Sequence, residues 1–343
     1  MRLAIVGTGG FAKSHAISFA TIEGVEVVGC VDTDKFRLAD FAETHRIPRT
    51  FASLEALLDW GEFDAVANVT PDRVHYATTM ALLKEGKHVF CEKPLAENYD
   101  QALEMADAAA AAGLINMVNL TYRNAAALQK ARAMVLAGEI GEVRHVEASY
   151  LQSWLVAKTW GDWRSESRWL WRLSKEHGSN GVLGDVGIHI LDFASFGAGS
   201  EIDNAHSRLK TFRKAPSDKI GEYRLDANDS FTMSVEFQNG ALGVVHASRW
   251  ATGHLNDLRL RLFGDKGGLV VHATTTTSRL EACLGDDVDN GQWRELETEI
   301  SPTNSQRFVE AVRTGVNGEP SFHHATNLQR LLDQALMAES RTL

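Results

Sequence analysis

The sequence predicts an α/β chain in two parts, a helix-wrapped parallel sheet followed by an α+β domain whose open sheet is mostly antiparallel. Three observations lead there. The first 120 residues alternate short apolar runs with helical patterns, the signature of strands joined by helical crossovers. Beyond residue 120 strand-like runs are joined by tight turns, the mark of antiparallel pairing. The length of 343 residues exceeds what one core usually holds, so two domains are expected, 1–120 and 121–343.

In the first part the strands are expected at 3–6, 25–31, 63–69, 87–91 and 114–120, with a short one at 49–51. Helices fall between them, and those over 72–85 and 99–112 end at the stop residues Gly86 and Gly113. In the second part, 123–137 reads as an amphipathic helix closed by Gly138, and a strand follows at 142–151. Strands at 230–237 and 241–250 are joined by Asn239-Gly240, a strong two-residue hairpin signal. Those at 258–263 and 268–272 flank Gly264-Asp265-Lys266-Gly267. On 230–237 the residues Phe231, Met233, Val235 and Phe237 share one face, so that face is expected to be buried.

Composition excludes several classes. Apolar residues make up 44% of the chain and charged residues 23%, ordinary for a globular protein. A formal charge of −10 argues against nucleic-acid and anionic-membrane partners, which need clustered cations. No apolar run is long enough to span a bilayer. The chain enters a strand at once, leaving no room for a signal peptide, so a cytoplasmic location is expected. Cys30, Cys91 and Cys283 are too few and too scattered for a disulfide framework.

The first crossover carries Gly7-Thr8-Gly9-Gly10-Phe11-Ala12, a G-x-G-x-x-A pattern between strand and helix. Gly7 would permit the turn, Gly9 the close approach of a pyrophosphate, and Ala12 tight packing of helix on strand. Asp32 answers it at the end of the second strand, where a carboxylate can accept from a ribose hydroxyl and repel a 2′-phosphate. NAD is therefore expected, with Lys35 and Arg37 keeping NADP as the alternative. Thr70-Pro71, after the third strand, would line the nicotinamide half or simply open a helix. His75 follows on that helix, and both it and His15 could equally be ordinary helix histidines.

Two further stretches carry chemistry. Cys91-Glu92-Lys93-Pro94 lies at the end of the strand over 87–91, where ligands collect in open α/β sheets, and Pro94 restricts the backbone at Lys93. The segment 178–192 reads as a glycine-rich loop into a helix that sets Asp185 and His189 four residues apart, with Asp192 a turn further. An imidazole beside a carboxylate can serve as general base. No set of ligands with metal-site spacing accompanies the pair, so no metal is expected.

In their order and spacing, Gly7 to Ala12, Thr70-Pro71 with His75, Glu92-Lys93-Pro94 and Asp185-x-x-x-His189 resemble the glucose–fructose oxidoreductase / inositol dehydrogenase / rhizopine catabolism (Gfo/Idh/MocA) family. The resemblance covers residues 1 to about 195 in motifs and the remainder in layout, including a closing helix over 327–340. It implies a Rossmann domain, a second α+β domain and a site in the cleft between them. It also implies bound NAD or NADP and redox chemistry on a sugar, inositol or related polyol. Lys93, Asp185 and His189 take the family's catalytic positions, and the cofactor set becomes Gly7, Gly9, Gly10, Phe11, Ala12, Asp32, Thr70, Pro71, His75, Glu92 and Lys93. Two departures stand out: no proline follows Tyr122-Arg123-Asn124, and Ser179 and Asn180 interrupt the glycine run.

On chemical grounds His189 would take the hydroxyl proton, Lys93 would stabilise charge on the same oxygen, and Asp185 would orient one of the two. Tyr122 and Arg123, with Trp163 and Trp171 from a Trp- and Arg-rich stretch over 154–172, are the substrate candidates. Two other functions fit the same motifs: an internal-redox enzyme that cleaves or epimerises a glycoside with no net NADH, and a sensor without turnover. A homodimer or homotetramer is expected, the polar face of the second sheet pairing with its copy.

Overall fold

The computed structural model describes residues 1–340 and resolves the chain into two compact units, 1–120 with 302–330 and 121–301 with 331–340. The first unit is built on six short strands, β1 (Arg2–Val6), β2 (Glu26–Val31), β3 (Arg49–Phe51), β4 (Ala65–Asn68), β5 (His88–Cys91) and β6 (Asn116–Val118). They pair in parallel in the order β3-β2-β1-β4-β5-β6, the doubly wound arrangement with its switch point between β1 and β4. Helices α1 (Ala12–Ala20), α2 (Lys35–His45), α3 (Leu54–Trp60), α4 (Asp72–Lys84) and α5 (Tyr99–Ala111) make the crossovers. Side chains of Asp34, Ser53 and Asn98 cap α2, α3 and α5, satisfying first-turn N–H groups that would otherwise be orphaned. Leu3, Ile5, Phe19 and Phe90 form the centre of the core, with Phe19 and Phe90 packed edge to face at 5.3 Å.

The second unit opens with α6 (Ala126–Leu136) and β7 (Val143–Leu151), and continues through the short helix α7 (Ser167–Leu170). A single π-helical turn, Leu183–Gly187, leads into α8 (Ile188–Ala198), every residue of which is buried. Strands β8 (Ile202–Lys210), β9 (Lys219–Ile220), β10 (Tyr223–Arg224), β11 (Ser230–Phe237), β12 (Leu242–Ser248), β13 (Asp257–Gly264), β14 (Gly267–Ala273) and β15 (Ser278–Leu284) follow. The short helix α9 (Asp287–Asn290) and β16 (Arg294–Leu296) complete the unit's run. Apart from the separate β9–β10 hairpin, these strands form one eight-stranded sheet in the order β16-β15-β14-β13-β7-β12-β11-β8. Only the β7–β12 pair is parallel, so the sheet is mixed and mostly antiparallel. Phe231, Met233, Val235 and Phe237 are buried in alternation with exposed Thr232, Ser234 and Glu236, as the period of two required.

The chain then returns to the first unit with α10 (Asn304–Thr314), opened by a Thr303–Gln306 capping box. The last helix, α11 (Phe322–Ser340), contributes its residues up to Arg330 to the first unit and 331–340 to the second. The expected contiguous second domain, 121–343, therefore gives up 302–330. The reason is packing: Phe308, Val309 and Ala311 join the Leu3/Ile5/Phe90 core, and the β6 amide of Val118 donates to Pro320 O at 2.9 Å.

Candidate active site

In the first unit the β1–α1 turn is shaped by Gly7, whose φ is 90°. A Cβ there would lie 2.7 Å from Val69 O, closer than real Cβ contacts, so only glycine lets β1 and β4 part around the turn. Above Gly9 and Gly10 there is open space, with nothing within 4 Å of where a side chain would begin. The α1 N-terminus has no side-chain cap; Ala12 N and Ser14 N turn back to Gly9 O and Phe11 O at 3.1 Å each, and the positive end of the helix faces this turn. Ala12 is fully buried against the sheet, and Phe11 is exposed. These residues fit the pyrophosphate of a dinucleotide.

Asp32, at the end of β2, is buried and heavily engaged. Oδ2 accepts from Thr8 N and Oγ1 at 2.9 and 2.7 Å and from Arg37 Nε at 3.0 Å, while Oδ1 accepts from Asp34 N at 2.9 Å and Arg37 NH2 at 2.7 Å. Burial pushes the carboxyl pKa up, but the Arg37 guanidinium and the Asp34 and Thr8 donors outweigh it and hold the group well below the usual carboxylate range. Arg37, the NADP alternative read from the sequence, is thus the direct partner of the residue expected to select NAD.

Thr70 does not cap α4. Its hydroxyl donates to Asn68 Oδ1 at 2.7 Å, and Pro71 stands at the N-cap position rather than as the first helical residue. His75 is fully buried and cannot touch a cofactor face directly, a correction to its expected role. Its Nε2 lies 2.8 Å from Thr70 O and its Nδ1 2.8 Å from Pro94 O. Two carbonyls can only accept, so both bonds form when the ring is doubly protonated. Burial pushes the His75 pKa down, while Cys91, the Pro94 carbonyl and Asp72 carry it up to about 10. His75 thereby ties the Thr70-Pro71 turn to the Lys93-Pro94 turn. Glu92 accepts from Asn119 Nδ2 at 2.8 Å, pairs with His15 Nε2 at 2.6 Å, and takes the Lys93 amide at 3.2 Å. Burial would raise its pKa, yet His15, Asn119 and Lys93 bring it down to about 2. Lys93 therefore stands on a segment fixed from both sides, two residues beyond β5.

In the second unit the Gly178–Asp185 approach works despite its interruptions. Ser179 Oγ accepts from Gly181 N at 3.0 Å and donates to Arg172 O at 2.6 Å. Gly181 has a φ of 68°, and a Cβ on it would lie 2.6 Å from Asn228 N and O. Asp185 sits in the π turn, not in a regular helix, a local form that recurs at functional sites. Its Oδ2 accepts from Arg249 NH2 at 2.9 Å, with Arg172 Nε 3.8 Å away. His189 is buried on α8, its ring edge-on to Tyr122 at 5.2 Å. Tyr122 in turn shares a hydroxyl–hydroxyl hydrogen bond with Tyr150. Burial pushes both phenols up, and nearby Asp185 adds to it.

Arg123 is not available to a substrate. It is buried and grips Asp192 through Nε and NH2, at 2.8 and 2.6 Å to Oδ1, with its guanidinium 4.4 Å over Phe196. A buried pair of this kind ties the 121–124 turn to α8. Trp163 is also corrected: it is 2% exposed, donates Nε1–H to Leu155 O at 3.1 Å, and packs with Trp154, Leu170, Leu173 and Leu225. Trp171 is 40% exposed, with the Arg172 guanidinium 4.6 Å over its ring. Arg249 and Tyr150 were missed in the sequence, where neither stands in a motif. Among the described residues no His, Cys, Asp and Glu group could hold a metal, and no helix is long and apolar enough to cross a membrane.

Two family models match the chain. Residues 1–120 match the family described as "Oxidoreductase family, NAD-binding Rossmann fold", and residues 128–270 match "GFO/IDH/MocA C-terminal domain". The chain is 31% identical to D-glucoside 3-dehydrogenase of Escherichia coli over 93% of its own length and 89% of that protein's. It is 24% identical to levoglucosan dehydrogenase of Pseudarthrobacter phenanthrenivorans over 87% and 80%. A solved structure of a levoglucosan dehydrogenase in complex with NADH and levoglucosan shares the fold, with a TM-score of 0.85 at 21% identity, covering 99% of this chain and 97% of that one.

Proposed function

The chain belongs to the Gfo/Idh/MocA family, an NAD(P)-dependent oxidoreductase of sugars, inositols and related polyols, and on that premise we propose that it oxidises a secondary ring hydroxyl of a D-glucoside. The observation that carries this substrate class is the 31% identity, along nearly the whole chain, to D-glucoside 3-dehydrogenase. NAD, when bound, supplies the hydride acceptor.

The chain's own residues supply the rest. Gly7, Gly9, Gly10 and the uncapped end of α1 receive the pyrophosphate, and Asp32 receives the adenosine ribose. His189, as a neutral imidazole, takes the hydroxyl proton; Lys93, as ammonium, donates to the same oxygen as negative charge gathers there. Asp185 is the fixed carboxylate of this set. Tyr122, edge-on to His189, limits where the imidazole can turn, and Trp171 offers the remaining indole for the apolar face of a sugar ring.

The test is a panel of D-glucosides, inositols and anhydrosugars with NAD at mildly alkaline pH, followed by NADH absorbance. Fastest net NADH formation with glucosides is expected. Turnover of inositols alone refutes the substrate class, and product without net NADH points to internal redox. We also place the protein in the cytoplasm, consistent with three buried, unpaired cysteines. It assembles as a homodimer or homotetramer through the outer face of the eight-stranded sheet, where Leu242 and Val244 are exposed beside polar neighbours. A monomer mass by light scattering at micromolar concentration excludes that assembly.

A further inference from the structure

Arg249, just beyond β12, is fully buried. Its guanidinium donates to Asp185 Oδ2 at 2.9 Å, to Gly181 O at 3.2 Å and to Arg172 O at 3.1 Å, and lies 4.9 Å over the Trp154 ring. Its backbone amide donates to Asp229 O at 3.0 Å. The Asp229 carboxylate, also buried, accepts from Lys214 Nζ at 2.7 Å and Phe212 N at 2.8 Å. Lys214, Asp229, Arg249 and Asp185 thus alternate in sign, from the buried Lys214–Asp229 pair to the partly exposed Asp185.

A buried cation is expensive, and the arrangement keeps it although Arg249 Nε finds no partner among the described residues. An apolar residue of similar volume would often serve stability as well. What the guanidinium adds is direction. It binds at once the loop that leads into the π turn, through Gly181 O, and the carboxylate within that turn. With Oδ2 held, rotation of the Asp185 carboxylate about its last torsion is restricted. We infer that Arg249 is a positioning residue for the reaction, aligning the Asp185 carboxylate from the far side of the π turn, with Trp154 and Arg172 seating the guanidinium.

The inference rests on the reading of Asp185 as part of the catalytic set. Its test is a double-mutant cycle in the intact enzyme with NAD, using Arg249→Lys, Asp185→Asn and the pair. Lysine keeps the charge but cannot reach the carboxylate and both carbonyls together. Arg249→Lys should lower kcat about tenfold or more with NAD affinity unchanged, and add less than about twofold to the loss in Asp185→Asn. Independent, multiplying effects, or a folded Arg249→Lys enzyme with wild-type kcat, overturn the role of Arg249. Wild-type kcat in Asp185→Asn alone overturns instead the reading of Asp185. Should Arg249→Lys fail to fold, Trp154→Phe loosens the seat of the guanidinium while keeping its charge. A kcat loss that disappears in the Asp185→Asn background supports the inference, and a loss that persists there, or none at all, overturns it.

Discussion

Cofactor choice should turn on one carboxylate and its guanidinium. Asp32 already accepts five hydrogen bonds, three of them from Thr8 and Asp34, which hold the loop at the β2 end. Ribose hydroxyls must therefore take the place of Arg37, whose side chain is half exposed. Exposed ion pairs contribute about 0.2–1 kcal/mol, so Arg37→Ala should tighten NAD by about 1.4- to 5-fold. A ribose 2′-phosphate meets the same carboxylate. At about 4 Å each unit of charge is repelled by about 1 kcal/mol in water and about 4 kcal/mol near a protein surface, and Arg37 offsets part of this. The expected net preference is at least about tenfold for NAD over NADP in kcat/KM, or about 1.4 kcal/mol. Asp32→Ser should narrow the gap, and Arg37→Ala should widen it by removing a cation from the phosphate. Because Asp32 is held well below the usual carboxylate range, the preference should stay flat from mildly acidic to alkaline pH. The assay is steady-state kinetics with each cofactor at saturating sugar and physiological ionic strength, with NAD affinity from tryptophan fluorescence. A wild-type preference for NADP, or a loss of NAD affinity in Arg37→Ala, refutes the reasoning.

Lys93→Ala and His189→Ala should each lower kcat by about a hundredfold or more with NAD affinity nearly unchanged; near-normal turnover in stopped-flow or steady-state assays removes that residue from the reaction. Trp163→Ala, which empties a core position, should cost about 3–5 kcal/mol of stability, read as a clear fall in Tm. Trp171→Ala should leave Tm alone and raise KM for the sugar, and the reverse pattern would exchange their roles. The pH dependence of stability has two limbs. Glu92, depressed from 4.5 to about 2, contributes fully above pH 4.5 and loses its contribution as pH falls toward 2. His75, raised from 6.5 to about 10, contributes fully below pH 6.5 and loses its contribution as pH rises through 10. Thermal unfolding across pH should show Glu92→Gln flattening only the acid limb and His75→Gln only the alkaline one.

The Rossmann half was legible because its information is local. Each strand of the parallel sheet needs a helical crossover before the next, so apolar runs and glycine stops recur in order, and Gly7 to Ala12 with Asp32 sit where that order puts a ligand. The hairpin at Asn239-Gly240 and the alternation on β11 were legible for the same reason. Strand β8 was not: only Ile202 and Leu209 of it are buried, too few to produce a period. The return of 302–330 to the first unit escaped as well, because an amphipathic helix shows that it has an apolar face and not which core receives it. The long-range charge pairs were decided entirely by the tertiary fold. Arg123 and Asp192 stand 69 residues apart and Arg249 and Asp185 64 apart, and no spacing rule joins them. Sequence alone determined which side chains could do the chemistry. Burial determined which ones are held for it, because a charge withdrawn from water must be met by whichever partner the packing brings, and that partner belongs to a different stretch of chain.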